Sequence, residues 1–158
     1  MKLIAAASIL SLSIMLMPFL RIERSTSPDK DIVAVKTSDI KWEKPEGAPE
    51  GIMISHLTGE ANASPFVDMM KFAAGTKVPL HYHSANHIVS VVSGTLIIGK
   101  EGMPDESTGM EVGAGGYYRL TAKAPHWTMA KEDTVIVISG DKKNDTHFLD
   151  KEGQPKKK

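Results

Sequence analysis

From residue 32 to residue 150 the chain is written in short apolar runs separated by glycine, proline and asparagine, a spacing that leaves almost no room for helices. The runs are Ile32 to Lys36, Ile40 to Glu43, Gly51 to Leu57, Pro65 to Phe72, Leu80 to His83, His87 to Ile98, Gly116 to Leu120, His126 to Met129, Thr134 to Ser139 and Thr146 to Leu149. Turn signals fall between them at Pro45-Glu46-Gly47, Ala74-Gly75, Gly99 to Gly109, Gly113 to Gly116 and Gly140 to Asp145. No stretch beyond the N-terminus keeps apolar residues at helical spacing over three turns. The expected class is all-β, a sandwich or small barrel, and 158 residues suit one domain with one core.

The N-terminus follows a different rule. Leu3 to Leu20 carry no charge, and Arg21, Glu23 and Arg24 close the run. Residues 1–20 therefore read as a signal peptide or a membrane anchor. The run ends Met17-Pro18-Phe19-Leu20 rather than in small residues, and its alanines, Ala5 to Ala7, lie too early for a cleavage site, so anchoring stays open beside cleavage. Residues 21–31, RIERSTSPDKD, are polar and aperiodic and read as a linker to a domain over 32–150, with a basic tail over 151–158. The expected location is periplasmic or extracellular, with membrane contact only through residues 3–20.

Charge and cysteine content narrow the chemistry. Nineteen basic residues balance nineteen acidic ones, so no overall field favours nucleic acid. With no cysteine, disulfides, thiolate metal sites and cysteine nucleophiles are excluded, and histidine and carboxylate remain as ligands.

Histidine is concentrated in GTKVPLHYHSANHIVSVVSG, residues 75–94. His81 and His83 are two apart and leave one face of a strand, while Ser84-Ala85-Asn86 forms a short turn that folds His87 back beside them. Converging imidazoles suit a divalent metal. A second segment, GAGGYYRLTAKAPHWTM at 113–129, offers His126 as a fourth ligand. His56 and His147 stand apart on other strands and read as surface or hydrogen-bonded residues. Tyr82, Tyr118 and Trp127 are candidates for lining a pocket, with core packing as the alternative. Asp68 and Lys71 fall on opposite faces of one strand by parity.

These two segments resemble the cupin superfamily, whose first motif is G-x5-H-x-H-x3-4-E-x6-G and whose second is roughly G-x5-P-x-G-x2-H-x3-N. Gly75, His81, His83 and Gly94 match the first motif, with His87 in the place of its glutamate. In the second, Gly115 and His126 match, while Thr121, Lys123 and Ala130 replace the proline, glycine and asparagine. The resemblance covers Ile32 to Asp150 and implies a double-stranded β-helix, a jelly-roll-like barrel with the four positions inside it. The chain looks most like the small four-histidine cupins, a group that includes the cupin domain of an anti-sigma factor and some dioxygenases.

The resemblance implies a divalent metal, Mn, Fe, Zn or Ni, on His81, His83, His87 and His126. Four neutral imidazoles leave the ion's charge uncompensated and favour a small anionic or enolisable ligand, while the lost glutamate removes a carboxylate base. The expected function is thus an exported metal-binding cupin with a small-molecule ligand. The alternative is a metal-dependent dioxygenase or other metalloenzyme acting on a small dicarbonyl or phenolic substrate. Cupins commonly pair through outer strands, and Ile32 to Trp42 is the expected edge for a homodimer.

Overall fold

Alternation of apolar and polar residues along the runs becomes two antiparallel sheets in the computed structural model, which describes residues 32, 34–58, 61, 63–150 and 153–154. The chain divides into a unit Met1–Ala34 and a unit Val35–Lys158. In the first, residues 32 and 34 are described and both are exposed. The candidate signal or anchor at 1–20, the linker at 21–31 and the closing lysines lie outside the described residues, among which no helix is long and apolar enough to cross a membrane.

Among its described residues the second unit holds ten strands: β1 Ile52–His56, β2 Phe66–Phe72, β3 Lys77–Tyr82, β4 His87–Ser93, β5 Thr95–Gly99, β6 Met110–Gly113, β7 Tyr117–Leu120, β8 His126–Ala130, β9 Thr134–Gly140 and β10 His147–Phe148. They form one five-stranded sheet in the order β1-β2-β9-β4-β7 and another in the order β10-β3-β8-β5-β6. The predicted all-β class holds, and the facing sheets are those of a jelly-roll-like barrel.

Period-two burial sets the inner face. In β4, His87, Val89 and Val91 are buried while Ile88, Ser90 and Val92 are exposed. The matching residues Ile52, Phe66, Phe72, Val78, Leu96, Ile98, Ile136 and Ile138 complete one core. A smaller core of Ile97, Trp127 and Met129, with Leu80 against it, forms where β8 is buried on both sides. Trp127 Nε1 donates to the Glu101 carbonyl at 2.8 Å, and Gly99 and Gly109 lie flat against its ring, where a Cβ would collide. The segment following β5 therefore covers the outside of this sheet.

Several strand boundaries differ from the reading above. The described residues 32 and 34–36 are not in a strand; the chain takes a single 3-10 turn at Thr37–Asp39, and in the run Ile40 to Glu43 the ladder reduces to one bridge, Glu43 to Ile54. Trp42 instead covers β2, where the Lys71 ammonium lies 4.0 Å from its ring centroid. The run His87 to Ile98 divides at Gly94, whose φ of 75° turns the chain from one sheet to the other. β6 was not expected because its four residues are exposed or half-buried at the end of a sheet and sit between the glycines that mark turns on either side. β3 begins at Lys77, earlier than expected, because a bulge between Val78 and His81 breaks the period.

Candidate metal centre

Strand pairing brings the histidines together. β3 and β8 are neighbours in register with His81 opposite His126, and His83 follows directly after β3. The turn 84–86 buries Ala85 and starts β4 in the facing sheet at His87. Ring centroids are 4.1 Å apart for His81 and His126, 4.8 Å for His81 and His83, 5.1 Å for His83 and His126, and 4.2 Å for His83 and His87. One ring nitrogen from each of His81, His83 and His126 lies within 4.8 Å of the others. His87 joins through His83 and meets the ring of Phe66 edge-on at 5.4 Å.

The hydrogen bonds fix which nitrogen is available. His81 Nδ1 donates to the Pro79 carbonyl at 2.7 Å, His126 Nδ1 to the Ala124 carbonyl at 3.1 Å, and His83 Nδ1 to the Asp145 carbonyl. A carbonyl can only accept, so each Nδ1 carries the proton and each Nε2 keeps its lone pair. Three imidazoles oriented in this way present the tautomer that a metal ligand needs. Both ring nitrogens of the buried His87 lack a hydrogen-bond partner among the described residues. An unsatisfied buried polar group costs about 1–3 kcal/mol, which a coordinated cation would relieve.

Burial also keeps the rings neutral. Desolvation, followed by the neighbouring His126 and His83, lowers His81 to about 2. Desolvation likewise leads in lowering His83, His87 and His126 to about 4. Four uncharged imidazoles at neutral pH are ready donors for a divalent ion, so the residues fit the group.

One consequence is that removing the orphaned ring should help the metal-free fold. His87→Leu is expected to raise metal-free stability by about 1–2 kcal/mol while weakening metal binding, measured by urea unfolding with and without chelator. A stability loss in the metal-free state would show that His87 is satisfied by other means.

The loops around the histidines are tied to one another. Asn86 donates from its backbone N–H and its Nδ2 to the Asp141 carboxylate at 2.9 and 2.6 Å, and its Oδ1 accepts from the Ala122 N–H at 3.0 Å. The His83 carbonyl accepts from the Lys123 N–H at 2.8 Å. Lys123 has a φ of 65°, the left-handed conformation for which the cupin motif supplies glycine. Lys123→Gly should therefore stabilise the protein by about 0.5–1 kcal/mol, read as a rise in thermal midpoint at unchanged metal content.

The candidate lining residues separate by face. Tyr118 packs against the inner core with its hydroxyl bonded to Thr128, and burial pushes its phenol well above the ordinary value. Tyr82 lies between His81 and His83 and turns the other way, stacked on His147 at 4.7 Å and 14°. Trp127, adjacent to His126, is fully buried in the second core. Neither Tyr82 nor Trp127 lines the chamber that holds the histidines, because neighbours along a strand point to opposite faces. Both histidines set apart from the cluster are hydrogen-bonded: His56 to Asp68, and His147 to Ser84 Oγ at 3.2 Å. Asp68 faces inward and Lys71 outward. The direction of Asp68 could have been read from Phe66 and Phe72, which share its parity and belong in the core.

A two-sheet barrel with a histidine cluster inside it is the architecture of a cupin. The chain belongs to the family described as Domain of unknown function (DUF4437), whose model matches residues 19–146. Among solved structures, it is similar to a candidate acetylacetone dioxygenase from Methylibium petroleiphilum PM1, at 18% identity and TM-score 0.61 over 78% of this chain and 85% of that one. It is similar to an RmlC-like cupin from Ralstonia eutropha JMP134, at 18% identity and TM-score 0.60 over 78% and 76% of the two chains. A third similar structure is the complex of SigE with the anti-sigma factor ChrR from Rhodobacter sphaeroides, at 18% identity and TM-score 0.52 over 67% and 51%. Comparison with curated proteins returned no match.

Proposed function

We propose that this protein is a divalent-metal-binding cupin in which His81, His83, His87 and His126 hold one ion and a small anionic or enolisable molecule binds beside it. The observation that carries this reading is the hydrogen-bonding pattern of the rings. Three Nδ1–H groups are committed to carbonyls, leaving three Nε2 lone pairs for one centre, and His87 is buried beside them with no partner among the described residues. When bound, a divalent ion supplies positive charge that acidifies water and favours an anionic oxygen ligand. The chain's part is to keep the imidazoles neutral, oriented and shielded from water. The apolar composition of Leu3 to Leu20 supports an exported or membrane-tethered form of the protein.

Elemental analysis of the purified protein tests the metal reading. About one equivalent of Mn, Fe, Zn or Ni, removable by chelator, is the expected result; less than a tenth of an equivalent, with none regained on addition of these metals, would overturn it.

The second reading, a metal-dependent dioxygenase, draws on the similarity to the candidate acetylacetone dioxygenase. Against it stands the ligand set, which has histidine where the cupin motif carries glutamate and so supplies no carboxylate base. The buried carboxylate of Asp68 has both oxygens engaged, by His56 and by Asn144. Oxygen uptake with β-dicarbonyl and flavonol compounds separates the readings: binding without oxygen consumption supports the first, substrate-dependent consumption the second.

A further inference from the structure

The segment 141–146, between β9 and β10, carries the carbonyl to which His83 donates, and its own anchorage runs to a buried acid on another strand. We propose that Asp68 is a positioning residue for His83, acting through Asn144. Asp68 is 2% exposed on the inner face of β2, and each of its oxygens has a donor: His56 Nδ1 at 2.7 Å and Asn144 Nδ2 at 2.8 Å. A buried carboxylate is tolerated only when it is hydrogen-bonded in this way, so the arrangement holds Asn144 firmly.

The next residue, Asp145, is the one that meets the histidines. Its carbonyl accepts from His83 Nδ1, its Oδ1 accepts from the Ser84 N–H at 2.8 Å, and its Oδ2 lies 3.2 Å from His147 Nε2. A shift of Asn144 therefore moves the acceptor that selects the His83 tautomer and aims its Nε2. Asp141, bonded to Asn86, fixes the opposite end of the same segment beside His87. Glu43 reaches His56 Nε2 at 3.3 Å from the exposed side, which orients His56 so that Nδ1 faces Asp68. Partners bonded directly to a metal-ligating imidazole, as the Asp145 carbonyl is to His83, typically change metal affinity 10–100-fold when removed.

The proposal rests on the metal-binding reading for its affinity arm but not for its structural one. Asn144→Ala in the full-length protein is expected to weaken cobalt(II) binding 10–100-fold and shift the cobalt visible bands. In the metal-free protein the same change is expected to erase the protected His83 Nδ1–H proton resonance. Asn144→Ser, too short to span to Asp68, serves as a milder variant with the same direction of change. Val91→Ala, which removes core volume from β4, is the control for general destabilisation and should leave both readouts as in the unaltered protein. Retention of the His83 resonance in both Asn144 variants, with cobalt affinity within about 2-fold of the control, would overturn the proposal. If the unaltered protein binds no cobalt, the metal reading fails, and the His83 resonance still decides the positioning claim.

Discussion

His83→Ala is expected to abolish stoichiometric metal binding. His83 lies between the other candidate ligands, 4.8 Å from His81, 5.1 Å from His126 and 4.2 Å from His87 by ring centroids. Its removal leaves His87 with no ring contact to another ligand and breaks the set whose nitrogens lie within 4.8 Å of one another. The expected loss exceeds the roughly 100-fold that an outer partner can carry. Thermal unfolding reports the same event. Metal at a thousand times its Kd adds about 4 kcal/mol to a protein that binds it only when folded, or roughly 10 °C for a chain of this size. The alanine variant should lose that metal-dependent rise while its metal-free midpoint changes little. A full equivalent of metal in the variant would place the ligands elsewhere.

Acid is the second strong perturbation. The four ring values are lowered from 6.5, to about 4 for His83, His87 and His126 and to about 2 for His81, with burial as the leading cause in each. Above pH 6.5 the rings are neutral in both folded and unfolded chains, so folding does not depend on pH through them. Below 6.5 the unfolded chain takes up protons that the folded chain refuses, and stability falls until pH passes the folded values. One ring held at about 4 costs about 3 kcal/mol once pH is below both values. Several such rings together rival the whole stability of a domain, so metal-free protein should unfold between about pH 6 and 4. Urea midpoints measured across that range check this, and His87→Leu should flatten the dependence by one ring's share. Metal-free protein that keeps its neutral-pH stability at pH 4 would show that the rings are not buried as described.

What could be read in the chain beforehand follows the range of the interactions involved. His81, His83 and His87 were legible because a strand and a three-residue turn place them, both local properties. His126 required a second segment, and the register that sets it opposite His81 joins residues far apart in sequence. Pocket lining and core packing were both open for Tyr82 and Trp127 on chemistry, although parity beside His81 and His126 already turns them away from those rings. The role of Asp68 could not be read, since its partners lie on β1 and in the segment after β9. Gly94 was recognised as a motif residue, but not as the point where a continuous apolar run changes sheets. That function emerges only when β4 and β5 find different neighbours.

The most direct measurement of the central claim is X-ray absorption at the edge of whichever metal the purified protein carries. The account predicts a shell of about four imidazole nitrogens near 2.0–2.2 Å, reduced in His83→Ala. A shell dominated by carboxylate oxygen and unchanged in that variant would contradict it.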